Sequence, residues 1–196
     1  MSQSEKKVNP ITLRSKSWIA KSLIQLMDKK PYSKITLKEI SENADLTRQT
    51  LYRNFSTKEA ILEYYVDGFY NDFIKIISAK SNITLYDLLI TYFEYWYKNR
   101  EFVKKLIDNN VYLTLLDLHL KYINSMATNK KFEKLTFISN NKYFNNFSAG
   151  GLWFALKRWI EDGTEKTPEE MTNIILNFYQ TKALNLRNIM SEFKNI

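Results

Sequence analysis

A chain of 196 residues with 44% hydrophobic content can bury a core in one or two domains, and its 4 Gly and 3 Pro leave little room for turn-rich β architecture. It has no cysteine, which excludes a disulfide framework and any cysteine-based zinc site and suits a reducing cytoplasm. The net charge of +8 is uneven: residues 1–60 hold 12 Lys+Arg against 6 Asp+Glu and residues 61–196 hold 17 against 15, the footprint of a phosphate-binding module on a nearly balanced body.

Amphipathic patterns recur almost everywhere, so the expected fold is all-α. Residues 1–10, polar and ending in Pro10, read as a flexible arm without the apolar core of a signal peptide. The first helix is expected from Ile11 to Lys29, with Trp18, Ile19, Leu23, Leu26 and Met27 inward, and Pro31 stops it by its ring and its missing amide. Thr36 and Glu39 form a capping-box pattern that starts the second helix. Ala44, Asp45 and Leu46 make a turn, with Asp45 able to take a left-handed backbone. Thr47 caps a third helix over Arg48–Asn54, anchored by Leu51 and Phe55. Ser56 and Glu59 repeat the box and open a long fourth helix, in which Gly68 marks close packing or a bend.

Further helices are expected over Leu85–Lys98, Glu101–Asp108 and Tyr112–Ser125. Met126–Lys142 is polar and rich in Lys and Asn, with no assigned structure. An eighth helix runs from Tyr143 to Glu161, closed by Asp162-Gly163, and a ninth starts at Thr167, Pro168 and Glu170 and continues to about Phe193. The most apolar stretch, Leu85 to Tyr97, is broken by Asp87, Thr91 and Glu94, so no membrane span is expected.

The stretch from Thr36 to Lys58 therefore holds two short capped helices with a tight link, followed by the start of a third. An α-helix fits the major groove of DNA, and the second helix of such a pair enters by its N-terminal end. There Arg48 can grip guanine with two hydrogen bonds, Gln49 can do the same for adenine, and Thr50 offers a methyl to thymine and a hydroxyl to either partner. Tyr52, Arg53 and Asn54 lie further along, within reach of phosphates. Lys58 adds a charge beside the first free amides of the fourth helix, and Thr36 and Thr47 sit at two further helix starts.

The segment KITLKEISENADLTRQTLYRNFSTKEAIL resembles the N-terminal domain of TetR/AcrR-type transcriptional regulators, with Ile40, Ala44, Leu46, Thr47, Thr50, Leu51, Tyr52, Phe55, Lys58 and Glu59 where that motif has such residues. The likeness covers about residues 10–60, and the remainder agrees mainly in helical layout. The resemblance implies a helix-turn-helix homodimer on a palindromic double-stranded operator, usually a repressor, with a C-terminal domain that takes up a ligand. The departures are Pro31, Asp45 and Gln49, where the family usually has Gly, and Asn54, where it often has His; Gln49 and Asn54 bear on the operator sequence. The expected division is residues 1–58, arm and DNA-binding domain, and residues 59–196, a helical dimerisation and effector-binding domain.

Helices eight and nine are the dimer candidates, through Met171, Ile174, Ile175 and Phe178, then Leu186, Ile189, Met190 and Phe193. Gly150-Gly151 within helix eight lowers helix propensity, a cost that fits a place where another helix comes close. A small apolar or aromatic effector is expected among Tyr92, Phe93, Trp96, Phe102, Tyr112, Trp153 and Trp159, oriented by Asn109, Asn110 and His119. His119 is the only histidine, so no metal or cofactor is implied. With no phosphate-binding Gly loop, nucleophile elbow or cysteine, the chain does not read as an enzyme. The rival readings are a regulator, including an activator, controlled by a protein partner, and a purely structural helical protein.

Overall fold

The computed structural model describes residues 9–127, 132 and 142–179. The described residues form helices and contain no strand, as the composition required. Helix α1 spans Pro10–Met27, opened by Asn9, whose side chain accepts from the Ile11 amide. It ends two residues short of the expected Lys29, and Pro31 caps the 3-10 turn Tyr32–Lys34 that follows. Its buried face is Ser15, Ile19, Ala20, Ser22, Leu23, Ile24 and Met27. Trp18, expected inside, is 48% exposed, with the Arg14 guanidinium 5.9 Å from its ring. The hydrophobic spacing carries Ile19 and Leu23 inward, and one residue earlier the helix has turned about 100° away from that face.

Helices α2 (Leu37–Asn43) and α3 (Arg48–Asn54) follow, then α4 (Lys58–Ala79), α5 (Leu85–Lys98), α6 (Arg100–Asp108), a 3-10 turn at Leu113–Leu115, α7 (Leu116–Ala127) and α8 (Lys142–Glu161). The ninth helix, α9, begins at residue 168 and is described to 179. Thr167 caps it as expected: its amide donates to Glu170 Oε2 at 2.7 Å and its Oγ1 accepts from the Glu170 amide at 3.1 Å. Leu186, Ile189, Met190 and Phe193, and the arm before Asn9, lie outside the described residues. The capping box expected from Ser56 is not formed. Thr57 Oγ1 instead accepts from the Ala60 amide at 3.1 Å, and Glu59 turns to accept from the Tyr32 hydroxyl at 3.1 Å. Gly68 neither packs closely nor breaks α4: nothing lies within 4 Å of where its Cβ would be, and the helix runs through it.

The chain divides into two compact units, cut elsewhere than at residue 58: Met1–Asp72 with Lys105–Leu118, and Phe73–Lys104 with His119–Ile196. In the first unit, α1, α2 and α3 pack around Ile19, Leu23, Ile40, Leu51, Ile61 and Leu62, all essentially buried. The end of α6 belongs to this unit because Asn109 Oδ1 accepts from the Tyr32 amide at 2.7 Å and Lys105 pairs with Asp28 at 2.5 Å. The second unit has an aromatic core of edge-to-face pairs, including Phe73 on Tyr92 at 6.1 Å and Phe93 on Trp159 at 5.5 Å.

Candidate nucleic-acid interface

The geometry of the first unit is set by three short-range devices. At α2, Thr36 makes the full capping box: its Oγ1 accepts from the Glu39 amide at 3.3 Å, and Glu39 Oε2 accepts from its amide at 2.9 Å. Lys30 donates to the same carboxylate through Oε1, and these bonds hold the Glu39 carboxyl down at about 2, Lys30 contributing most. At the C-terminus of α2, Asp45 takes φ 53°, and the amides of Asp45 and Leu46 reach back to the carbonyls of Glu42 (3.1 Å) and Ser41 (2.9 Å). This double closure is a Schellman motif, which satisfies the last carbonyls and turns the chain sharply. Thr47 then caps α3, its Oγ1 accepting from the Thr50 amide at 3.1 Å.

The turn is locked from beneath by a contact that no local pattern announces. Ser22 Oγ, buried in α1, donates to the Ile40 carbonyl at 2.8 Å and accepts from Asn43 Nδ2 at 3.1 Å. Leu51, fully buried, pins α3 to the same core.

Leu51 inside puts Arg48, Gln49, Tyr52 and Arg53 outside, and all four are exposed. At 100° per residue they fall within an arc of about 140° on α3, a continuous polar edge beginning at the helix N-terminus. Thr50 and Asn54 are half-buried and already engaged: the Thr50 hydroxyl lies 2.9 Å from Thr47 Oγ1, and Asn54 Nδ2 donates to the Thr50 carbonyl at 2.8 Å. Their free faces are the Thr50 methyl and the Asn54 Oδ1.

Lys58, expected as a charge for phosphate, is used differently. Its ammonium donates to the carbonyls of Tyr32 (2.6 Å) and Ile35 (2.9 Å) and lies 4.1 Å from the centre of the Tyr32 ring. Burial lowers its pKa, opposed by neighbouring Glu59. Lys58 thereby ties the start of α4 to the turn before α2, and Tyr32, whose hydroxyl is raised by burial and by Glu59, is the hub of that tie. Tyr32 and Asn109 were not readable as site-positioning residues, since the bond joining them spans 77 residues.

The residues expected around an effector are divided between the two units. Asn110 and Tyr112 belong to the first unit, while Phe93, Trp96, His119 and Trp153 belong to the second. Asn110 is exposed, with φ 56°, and closes α6 through a second Schellman motif, its amide on the Ile107 carbonyl at 2.9 Å and that of Val111 on Leu106 at 3.0 Å. The left-handed backbone accounts for an Asn at this position. Phe93, Trp96, His119 and Trp153 are all buried, the His119 and Trp153 rings 4.8 Å apart. Burial brings His119 down to about 4, opposed by a hydrogen bond with the Ala149 backbone, so the ring is neutral at pH 7. Tyr92, expected among the same aromatics, has a buried hydroxyl with no hydrogen-bond partner among the described residues, and its ring lies 6.3 Å from that of His119.

On α8, Tyr143, Phe147 and Phe154 are more than half exposed, and Gly150 and Gly151 between them have nothing within 4 Å of a built Cβ. Their spacing puts them on one face of the helix. On α9, Ile174 and Phe178 are exposed, whereas Met171, expected on the same stripe, is buried. No described helix is long and apolar enough to cross a membrane, and no described group of His and carboxylates could hold a metal ion.

Two family models match the chain. The model of the "Bacterial regulatory proteins, tetR family" matches residues 19–65, and that of the "Transcriptional regulator C-terminal region" matches residues 83–181. Among solved structures, one described as "Dihydroxyacetone kinase operon activator DhaS" aligns with 86% of this chain and 95% of its own, at a TM-score of 0.53 and 23% identity, a likeness of fold. No curated protein sequence matches the chain.

Proposed function

Since the chain belongs to the TetR family of transcriptional regulators, we propose that it acts as a homodimer that reads a palindromic operator with α3 and works as a repressor released by a small-molecule effector. The observation that carries the reading is the exposed edge of Arg48, Gln49, Tyr52 and Arg53 on a helix whose entry is capped and whose inner face is pinned by Leu51. Arg48 and Gln49, nearest the helix start, read base edges, and Tyr52 and Arg53 hold phosphates. Thr50 presents its methyl to thymine, Asn54 offers its carbonyl oxygen, and Thr36 and Thr47 present exposed capped helix starts to the backbone. Lys58 acts behind the interface, holding α4 in place.

The dimer forms through α8 and α9, supported by the exposed aromatic stripe of Tyr143, Phe147 and Phe154 around the open Gly150-Gly151 notch. The effector is a small apolar or aromatic molecule held among Phe93, Trp96, His119 and Trp153, and the unpartnered Tyr92 hydroxyl supports a polar group on it. Helix α4, which contributes residues to both units, carries the response. A second reading is activation, favoured by the description of one structural neighbour as an operon activator, with a protein partner in place of the small effector.

Selection of bound DNA from a random pool, at stated salt, tests the reading. A two-fold symmetric site is expected, and Arg48→Ala should lose roughly 1–3 kcal/mol on that site while losing little on random DNA. Equal losses on both would remove Arg48 from base reading. Operator release by a metabolite that also raises the melting temperature supports the repressor with effector; release by none, with transcription rising in the presence of the protein, supports the second reading.

A further inference from the structure

The entry of α2 carries a full negative charge. Glu39 Oε2 accepts from the Thr36 amide at 2.9 Å and from the Thr36 hydroxyl at 2.8 Å, and its carboxyl, held at about 2, stays ionised near neutral pH. A capping box accepts Gln at this position as well as Glu, so the cap itself does not need the charge. At a helix start an anion is favourable, but beside a DNA phosphate the same anion repels. Thr36, exposed and one hydrogen bond from that carboxylate, is the residue that the reading above lays against the DNA backbone.

Lys30 meets this charge. It donates to Glu39 Oε1 from nine residues earlier in the chain, before the 3-10 turn. Both side chains are partly exposed, so the effect of the pair on DNA depends on salt. The neighbouring cations are placed otherwise: Lys38 pairs with Glu42 at 3.7 Å, Lys58 is on the Tyr32 and Ile35 carbonyls, and Lys34 is exposed. We propose that Lys30 is a positioning residue for DNA binding: it acts through Glu39, cancelling its charge so that the start of α2 meets the phosphate backbone without repulsion. This role rests on the reading that Thr36 faces DNA.

Fluorescence anisotropy on the full chain, with labelled operator from the selection and random duplex, from about 50 to 300 mM KCl, tests it. One uncancelled charge about 7 Å from a phosphate costs roughly threefold in water, or about tenfold for the two subunits of a dimer. Lys30→Met should therefore weaken operator and random DNA alike by about tenfold at low salt, with a shallower salt slope and a loss that fades as salt rises. Lys30→Arg keeps the charge and should restore wild-type binding. Glu39→Gln keeps the box and frees Lys30, so it should tighten both duplexes by about tenfold at low salt. Lys30→Met combined with Glu39→Gln should recover affinity to within about twofold of wild type, the two charge changes cancelling. A merely structural role for Lys30 predicts a lower melting temperature, an unchanged salt slope and no recovery in the double variant, and that result would overturn the proposal. No tightening by Glu39→Gln, a measurement that stands even if Lys30→Met does not fold, would do the same. Wild-type protein that binds no duplex DNA would refute the DNA-binding reading and this role with it.

Discussion

Replacing Asp45 by Gly should make the protein more stable, although it removes a side chain from the turn that presents α3. Asp45 holds φ 53° while the amides of Asp45 and Leu46 close α2. A left-handed backbone costs an L-residue roughly 1–2 kcal/mol, with Asp at the low end because its short side chain tolerates the conformation. Glycine has no such cost, but it gives up more backbone freedom on folding, an offset of about 0.5 kcal/mol. The net gain is about 0.5–1 kcal/mol, or roughly 1–4 °C in melting temperature for a chain of this size. Thermal and urea unfolding of Asp45→Gly, Asp45→Asn and Asp45→Ala separates the causes. Asn keeps the shape and tolerance without the charge and should stay near wild type, while Ala keeps the steric cost without the local polar group and should lose about 0.5 kcal/mol. Because the closure of α2 is unchanged in Asp45→Gly, Thr47 should still cap α3 and operator selection should be preserved. If Asp45→Gly were less stable than wild type, or Asp45→Ala equally stable, the backbone angle would not be what decides this position.

Lys58→Met keeps the length but removes the donor from the Tyr32 and Ile35 carbonyls, and should cost about 1–3 kcal/mol in urea unfolding while changing the salt slope of DNA binding by less than the loss of Arg53 does. His119, at about 4 when folded against an ordinary 6.5, binds its proton more readily once unfolded. Stability should therefore fall as pH drops from 6.5 through about 4, by about 3 kcal/mol in all, and His119→Gln should flatten that part of the pH profile. The Glu39 carboxyl works in the same direction at lower pH: its contribution is complete above its ordinary 4.5 and disappears as pH falls through about 2, so Glu39→Gln should lose acid sensitivity in that window. Gly151→Leu meets nothing within 4 Å in the single chain, so the monomer should stay folded while sedimentation shows a weakened dimer; an unchanged dimer would take the α8 notch out of the interface.

Much of this protein was legible because its signals act over a single helical turn. The Thr36/Glu39 and Thr167/Glu170 boxes join partners three residues apart, and Thr47 reaches Thr50 over the same distance, so side chain and amide meet wherever the chain folds. The left-handed turn at Asp45 and the outward edge of α3 follow from equally short rules: a helix closure, and Leu51 facing the core. Where the reading failed, the deciding partner was distant or its direction depended on packing. Lys58 turned from a phosphate seat into a brace because carbonyls 23 and 26 residues away come within its reach. Trp18 stayed outside because α1 settled on Ile19 and Leu23, and Gly68 faces open space because no described neighbour packs within 4 Å of where its Cβ would be. Sequence by itself determined that this chain is helical, where most helices begin, and that it carries a polar edge suited to a DNA groove. Tertiary structure alone decided which of its charges are free to face DNA, since that depends on which remote carbonyl or carboxylate folding places beside each one.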